Sequence, residues 1–253
     1  MCGATRNNVR APYYRILKPT KTNIIMDRIE QIKNHFEEEA EAFDKTILKL
    51  IPHYSEMIDA LALSIPFNRD ELISVIDLGC GTGTVARKIK DVFPNAKISC
   101  LDIAENMINI ARKRLGGCAD CYVSDFYKFE FDKKYDVIVS SLALHHLEND
   151  EDKKWFYRKI YNALNSNGVF YNADAVLGSS DQLQDLYLAK WKAFMNKTVS
   201  LDEIENKWMV NYRTEDRPAR LMNHLNWLTD IGFNDVDVVW KYYNFAVYGG
   251  CKK

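Results

Sequence analysis

No run in this chain of 253 residues approaches the roughly 18 consecutive apolar residues that a membrane-spanning helix needs. No basic, then apolar, then small-residue leader heads it, so no secretory signal is read. Neither charge dominates: 34 Lys and Arg stand against 35 Asp and Glu, leaving a net charge of −1. That balance excludes a global field that would recruit nucleic acid or an anionic membrane. The six cysteines, at 2, 80, 100, 118, 121 and 251, lack the spacing of a disulfide framework. Cys118 and Cys121 make one CxxC pair, but the second pair that a zinc ribbon requires is missing, so no metal site is read. Free thiols and the missing leader predict a soluble, cytoplasmic protein. Internal repeats are absent. The first 26 residues contain no acid but carry Arg6, Arg10, Arg15, Lys18 and Lys21. This predicts a solvated, flexible basic tail in preference to a nucleic-acid arm.

What is present is enough apolar material, 47% of the residues, for one full core, and one large α/β domain is the economical reading. The most telling stretch is Val75–Thr84. An apolar run ends in Asp77 and passes into a loop with glycines at 79, 81 and 83, with Cys80 between the first two. A buried parallel strand reads this way, and the glycines let backbone turn sharply and approach a ligand. A helical pattern follows to Phe93 and stops before Pro94. A second apolar strand, Lys97–Asp102, again ends in an acid. Strand, glycine loop, helix, strand, acid is the half-site of a nucleotide cofactor, the acid accepting ribose hydroxyls.

A dinucleotide site would carry its third glycine where this chain has Thr84. Asp77, just before the loop, would repel a pyrophosphate but attract a cationic amino-acid group. Both points favour S-adenosyl-L-methionine, with its sulfonium and ammonium, over a nicotinamide cofactor.

Beyond the loop the sequence resembles the class I S-adenosylmethionine-dependent methyltransferases, motif after motif from about residue 70 to 176. Asp102 and Ile103 match the ribose-binding acid and its apolar neighbour beside the adenine. Glu105–Met107 opens the next helix as in that family, and Asp125 and Phe126 match the strand-end acid for the adenine amino group and the residue after it. Tyr135–Leu147 is similar to the fourth strand and the loop that passes beneath the cofactor, and Asn162–Asp174 to the following turn and fifth strand. The resemblance implies a Rossmann-like α/β fold with a seven-stranded, mostly parallel sheet and helices on both faces. It also implies cofactor contacts from Asp77, Gly79, Cys80, Gly81, Gly83, Asp102, Ile103, Met107, Asp125, Phe126, Ser140 and Ser141.

Strands are predicted at about 73–78, 97–102, 119–124, 135–140, 168–175, 234–241 and 243–250, with helices between them. Residues 27–66 read as helices, with Ile29, Ile32, Phe36, Ala40 and Phe43 on one stripe and a break near Pro52. Helices so placed are expected to cover the cofactor cleft. The methyltransferase domain is expected over 67–253, with a helical insertion at about 180–231 that acts as a lid over the substrate. It is rich in aromatics, among them Trp191, Trp208 and Tyr212, and Pro218 is predicted to open a helix carrying Leu221, Leu225 and Leu228. Trp240, Tyr242 and Tyr243 are further candidates for lining an aromatic pocket.

The ends of the chain look like the carboxy-S-adenosylmethionine synthase branch, which serves transfer-RNA wobble-uridine modification: Phe36–Met57 with Pro52-His53-Tyr54-Ser55, and Gly232-Phe233 with Trp240–Phe245. The branch implies a cofactor contact from Tyr54. Two departures separate this chain from it. Gly81-Thr82 stands where the branch has another small residue and a leucine. Trp208, with Lys207 and Arg213 nearby, aligns where the branch has the arginine that holds its cofactor's extra carboxylate. The architecture is therefore expected, and the carboxylated cofactor is not.

Methyl transfer is an in-line displacement that needs alignment above all, and a base only if the acceptor keeps its proton. His145, His146 and Asp174, at strand ends, are the candidates; His35, His53 and His224 read as surface or packing residues. The expectation is methyl transfer to a small-molecule acceptor, because the extra segment is aromatic and not basic. The alternatives are carboxy-S-adenosylmethionine synthesis, a non-catalytic cofactor-binding module and a nicotinamide oxidoreductase. Oligomeric state is open, a homodimer included.

Overall fold

The computed structural model describes residues 21–253, with side chains from residue 26 onward. The basic tail expected over 1–26 falls mainly outside the described residues; its last six belong to the first helix.

The chain begins with three helices, α1 (Lys21–Glu39), α2 (Phe43–Leu50) and α3 (Tyr54–Leu63). The expected break near Pro52 is there, and a second one interrupts the apolar stripe after Glu39. Then β1 (Ser74–Leu78), α4 (Thr84–Val92), β2 (Lys97–Asp102), α5 (Glu105–Arg114), β3 (Asp120–Val123) and β4 (Tyr135–Ser141) alternate. A short turn of 3-10 helix at Leu144–His146 leads to α6 (Asp150–Ala163) and β5 (Leu164–Ala175). The insertion comprises α7 (Asp181–Met195), α8 (Leu201–Glu203), a π-helical turn at Ile204–Trp208, α9 (Met209–Glu215) and α10 (Leu221–Ile231). The hairpin β6 (Asn234–Tyr242) and β7 (Phe245–Cys251) ends the fold.

The seven strands lie in the order β3-β2-β1-β4-β5-β7-β6. All neighbours are parallel except β5–β7 and β6–β7. The expected fold class is the observed one. The order reverses between β1 and β4, and a doubly wound sheet opens its ligand crevice at the carboxyl ends of the strands at such a switch point.

Strand alternation sorts side chains to two cores. Val75, Val137, Val139 and Val247 pack on one face with α3 and α4, while Ile76, Leu78, Ile138 and Phe170 pack on the other with α6 and α10. By the same period Asp77 faces α4, where its Oδ2 accepts the Ala86 N–H at 3.2 Å.

Two expectations need correction. β5 starts at Leu164 and not at 168. The register jumps from Tyr135–Leu164 to Val137–Val169, so the predicted turn is absorbed as a bulge with Asn167 at φ +64°. Pro218 does not open a helix: α10 starts at Leu221, and Arg220 is held extended by a bridge to Leu177.

Candidate active site: two joined cavities

The first cavity lies over the carboxyl ends of β1 and β2 and has an empty volume of about 940 Å³, open mouth included. Its floor is the glycine turn. Gly79 has φ +70°, and a Cβ there would stand 2.3 Å from Ala143 Cβ, so only glycine lets the two loops touch. Gly81 has φ +52°, and beside its Cβ position only the Phe43 ring comes near, at 3.8 Å, so its backbone lies bare to the cavity. Asp102 accepts N–H bonds from Gly81 (2.8 Å) and Ala104 (2.9 Å). Burial, opposed by these bonds, pushes its pKa up to about 6. Each oxygen keeps lone pairs for a hydroxyl. Behind the turn, Asp77 Oδ1 is buried without any partner, and burial raises this carboxyl to about 7. A bare backbone and a carboxylate with spare lone pairs suit a ligand with ribose hydroxyls.

Tyr54, Gly79, Cys80, Gly81, Asp102, Ile103, Met107, Asp125, Phe126 and Ser141 line this cavity. Three expected contacts do not. Asp77 is turned into the start of α4. Gly83 stands before that helix, its Cβ position 3.0 Å from Ala111 Cβ. Ser140 is fully buried and donates to Leu78 O at 2.7 Å, tying β4 to β1. The roof comes from Ile29, Ile32 and Phe36 of α1 and from Phe43 at the start of α2.

The second cavity opens beside the first, and Phe36, Phe43, Leu142 and His146 line both. Leu142 adopts φ +51°, an unusual conformation for a leucine, held by its N–H to Ala173 O at 2.8 Å. Aromatic walls come from Trp191, Trp208, Tyr212 and Phe245. Trp240, Tyr242 and Tyr243 are not among them: Tyr242 packs on His53, and Tyr243 on Tyr187.

Charge is concentrated at one end of this cavity. His145 Nδ1 is hydrogen-bonded to Asp174 Oδ1, and His145 Nε2 lies 3.4 Å from Asp216 Oδ1. Burial works against the charge on His145, but the two carboxylates outweigh it and raise its pKa to about 10. His146 goes the other way. Burial, and the charge on His145, push it down to about 3. Its Nδ1 lies 3.3 Å from Glu215 O, and its buried Nε2 has no partner. Asp174 lines neither cavity; it sits behind His145, fixed by Asn172 Nδ2 (3.1 Å) and the Ala175 N–H (2.9 Å).

Several groups here were missed from sequence. Asp216, two residues before Pro218, was not among the candidates. His35, read as a surface or packing residue, lines the second cavity between Glu215 (2.7 Å) and Glu39 (3.3 Å). Burial opposes its charge, but those carboxylates raise its pKa to about 9. Arg28, 7% exposed, donates to Glu215 O (2.6 Å) and His146 O (2.7 Å) and pairs with Glu148 at 2.6 Å. Nothing near Arg28 in sequence signals its bonds, because Glu215, His146 and Glu148 lie more than a hundred residues away; of the His35 partners only Glu39, four residues on, is local. His53 and His224 fit the packing expectation: His53 bonds Glu56, and buried His224 bonds Tyr157.

Residues 75–168 match the family described as "Methyltransferase domain". Among curated relatives, malonyl-[acyl-carrier protein] O-methyltransferase 2 of Ilyobacter polytropus is 30% identical over 122 residues, 47% of this chain but only 45% of that protein. Carboxy-S-adenosyl-L-methionine synthase of Campylobacter lari is 23% identical over 217 residues, 83% of this chain and 90% of the synthase. Among solved structures, a DhpI–SAH complex aligns over 92% of this chain and 98% of its own, with TM-score 0.62 and 16% identity, which shows a shared fold. Among the described residues no helix is long and apolar enough to cross a membrane.

Proposed function

The chain belongs with the class I S-adenosylmethionine-dependent methyltransferases, and from that premise we propose that it transfers the methyl group of S-adenosyl-L-methionine to a small-molecule acceptor held in the second cavity. The observation that carries this reading is that Phe36, Phe43, Leu142 and His146 line both cavities. A donor lying over Asp102 and Gly81 and an acceptor lying against Trp191 and Trp208 meet there, as an in-line displacement requires.

The first cavity fits the cofactor. Asp102 would accept its ribose hydroxyls, Asp125 and Phe126 would hold its base, and Tyr54 would close over it. The cofactor supplies an electrophilic methyl group. The protein's part is to align the partners, exclude water with α1 and the aromatic insertion, and receive the acceptor's proton where there is one. His146, held uncharged with its Nε2 free at the junction, is the proposed hydrogen-bond acceptor for that proton. His145, charged and clamped by Asp174, holds the turn that presents it.

Both relatives' names involve a carboxylated compound, and this chain is poorly furnished for one. Glu39, Glu215 and Asp216 line the second cavity, and no Lys or Arg does among the described residues. Lys207 is paired with Glu39 at 2.8 Å instead of entering the cavity. Without a guanidinium for a carboxylate, the ordinary cofactor and an uncharged or cationic acceptor are favoured. The aromatic walls of the second cavity, Trp191, Trp208, Tyr212 and Phe245, also favour a small acceptor over a polymer.

The test is native and denaturing mass spectrometry of the purified protein, followed by calorimetric titration with S-adenosylmethionine and S-adenosylhomocysteine. Micromolar binding of either is expected. A co-purified ligand heavier by one carboxyl group would move the protein to the synthase reading, and no binding of either would end the methyltransferase reading.

A further inference from the structure

We propose that His145, His146 and Asp216 form a binding site for one divalent transition-metal cation of the zinc type in the wall of the second cavity, with a coordination position left open to the acceptor. The ligand atoms are one ring nitrogen from each histidine and a carboxylate oxygen, all within 4.8 Å of one another. Asp216 Oδ1 lies 3.4 Å from His145 Nε2 and 3.5 Å from His146 Nδ1. Both separations exceed the roughly 2.7–3.2 Å of a sound hydrogen bond. They match instead the edge of a tetrahedron around zinc, about 3.3–3.4 Å for ligands at about 2.0–2.1 Å. The three groups converge on a common point without bonding well to each other.

An independent observation lies one layer out. The other nitrogen of His145, Nδ1, is hydrogen-bonded to Asp174, a carboxylate 1% exposed. On binding, the cation displaces the Nε2 proton of the charged His145, leaves the Nδ1 proton on the bond to Asp174 and takes the Nε2 lone pair, the arrangement that orients metal-ligating histidines. Asp174 is held in its turn by Asn172, whose Nδ2 also donates to Tyr248 Oη at 2.9 Å.

The backbone carrying the ligands is fixed beforehand. Arg217 N–H donates to His145 O at 2.9 Å and Arg28 Nη2 to His146 O at 2.7 Å, so the histidine turn and the Asp216 segment are tied together. The two carboxylates, Asp174 and Asp216, match a double positive charge. The neighbouring guanidinium groups, Arg28 and Arg217, both face Glu148, at 2.6 and 3.9 Å. His146 Nδ1 has one competing partner, Glu215 O at 3.3 Å, a long contact that a cation would replace. The ring proton then sits on Nε2, so with a cation bound the cation takes the place of His146 Nε2 in engaging the acceptor, by the acceptor's lone pair. Two imidazoles and one carboxylate without sulfur suit zinc, cobalt, nickel or ferrous iron. The use of the site rests on the proposed function: a cation there would hold an acceptor hydroxyl, thiol or amine by its lone pair beside the first cavity. The binding itself does not rest on it.

The test is titration of the metal-free, full-length protein with cobalt(II) chloride, followed by calorimetry and visible absorption. One equivalent should bind, with the band intensity of a four-coordinate nitrogen–oxygen site. Asp216→Asn and the double variant His145→Ala, His146→Ala should each lower affinity at least tenfold. Asp174→Asn should lower it about 10–100-fold, as loss of an outer-shell partner does. Cys118→Ser with Cys121→Ser should change nothing. Thermal unfolding and S-adenosylmethionine titration of each variant establish that it is folded. Absence of saturable cobalt binding to the parent protein would overturn the proposal, and so would unchanged affinity in a folded Asp216→Asn. Loss of binding in the cysteine variant alone would overturn it too. Failure of S-adenosylmethionine to bind the parent protein would end the methyltransferase reading and leave the cobalt result standing.

Discussion

The two cavities are built in opposite ways. The first has a floor made by one contiguous stretch, Val75–Thr84, and by acids at the ends of the next two strands. Backbone does much of the work there, so glycine at fixed positions is obligatory. The second cavity is assembled from side chains of α1, α2, α7, α9 and the turn after β4, with the π-helical turn adding Trp208. Its charged groups are held by bonds across the whole chain. A cradle of backbone leaves a motif in the sequence, whereas a cradle of distant side chains leaves only a stripe, a helix break or an isolated histidine.

The sharpest way to break the floor of the first cavity is Gly79→Ala. A Cβ 2.3 Å from Ala143 Cβ, in left-handed backbone, forces the loops apart. A loss of about 2–4 kcal/mol in stability is expected from overpacking and backbone strain together, measurable by denaturant unfolding. A variant as stable as the parent would show that the turn has slack. Asp102→Ala should weaken S-adenosylmethionine binding by about 1–3 kcal/mol, the scale of lost charge-assisted hydrogen bonds. Unchanged calorimetric affinity would remove Asp102 from the site.

Trp208→Ala sharpens the comparison from the other side, because Trp208 lines the second cavity alone. Cofactor affinity should stay within about twofold of the parent, a change of under 0.5 kcal/mol as at surface sites. Transfer to an acceptor found by screening should show a raised KM. A comparable fall in cofactor affinity would mean that the cavities are not separable.

The smallest effect expected is one of pH. His35 in the folded protein is raised from 6.5 to about 9 by Glu215 and Glu39. The stabilisation it gives is therefore complete below about pH 6.5 and is lost as pH rises through about 9. Thermal stability should fall over that interval, and His35→Gln should flatten the fall. A parent profile flat from pH 6.5 to 9.5 would show that this ion pair is not formed in solution.

Strand positions, helix alternation and most of the first cavity were legible because period-two burial and glycine spacing are local properties. Asp77, Gly83 and Ser140 lie where the motif puts them along the chain but do not line the cavity, since a motif specifies position along the chain but not the direction of a side chain. Pro218 misled because Arg220 is held extended by pairing with Leu177, a contact no local pattern records. Arg28, and the Glu215 half of the His35 pairing, were illegible for the same reason.

The bonds of Arg28 to Glu215 and to His146 join residues 187 and 118 positions apart. Contacts of such separation close large loops and are slow to form. The alternating segment from β1 to β4 closes smaller loops, with Ser74 bonded to Asp136 across 62 positions. Helix α1 leaves the ribosome early yet waits for residue 215 before its arginine finds that carbonyl. Closing the roof over the floor on which the cofactor would lie thus carries the larger loop-closure cost, and the second cavity depends on the most widely separated of these contacts.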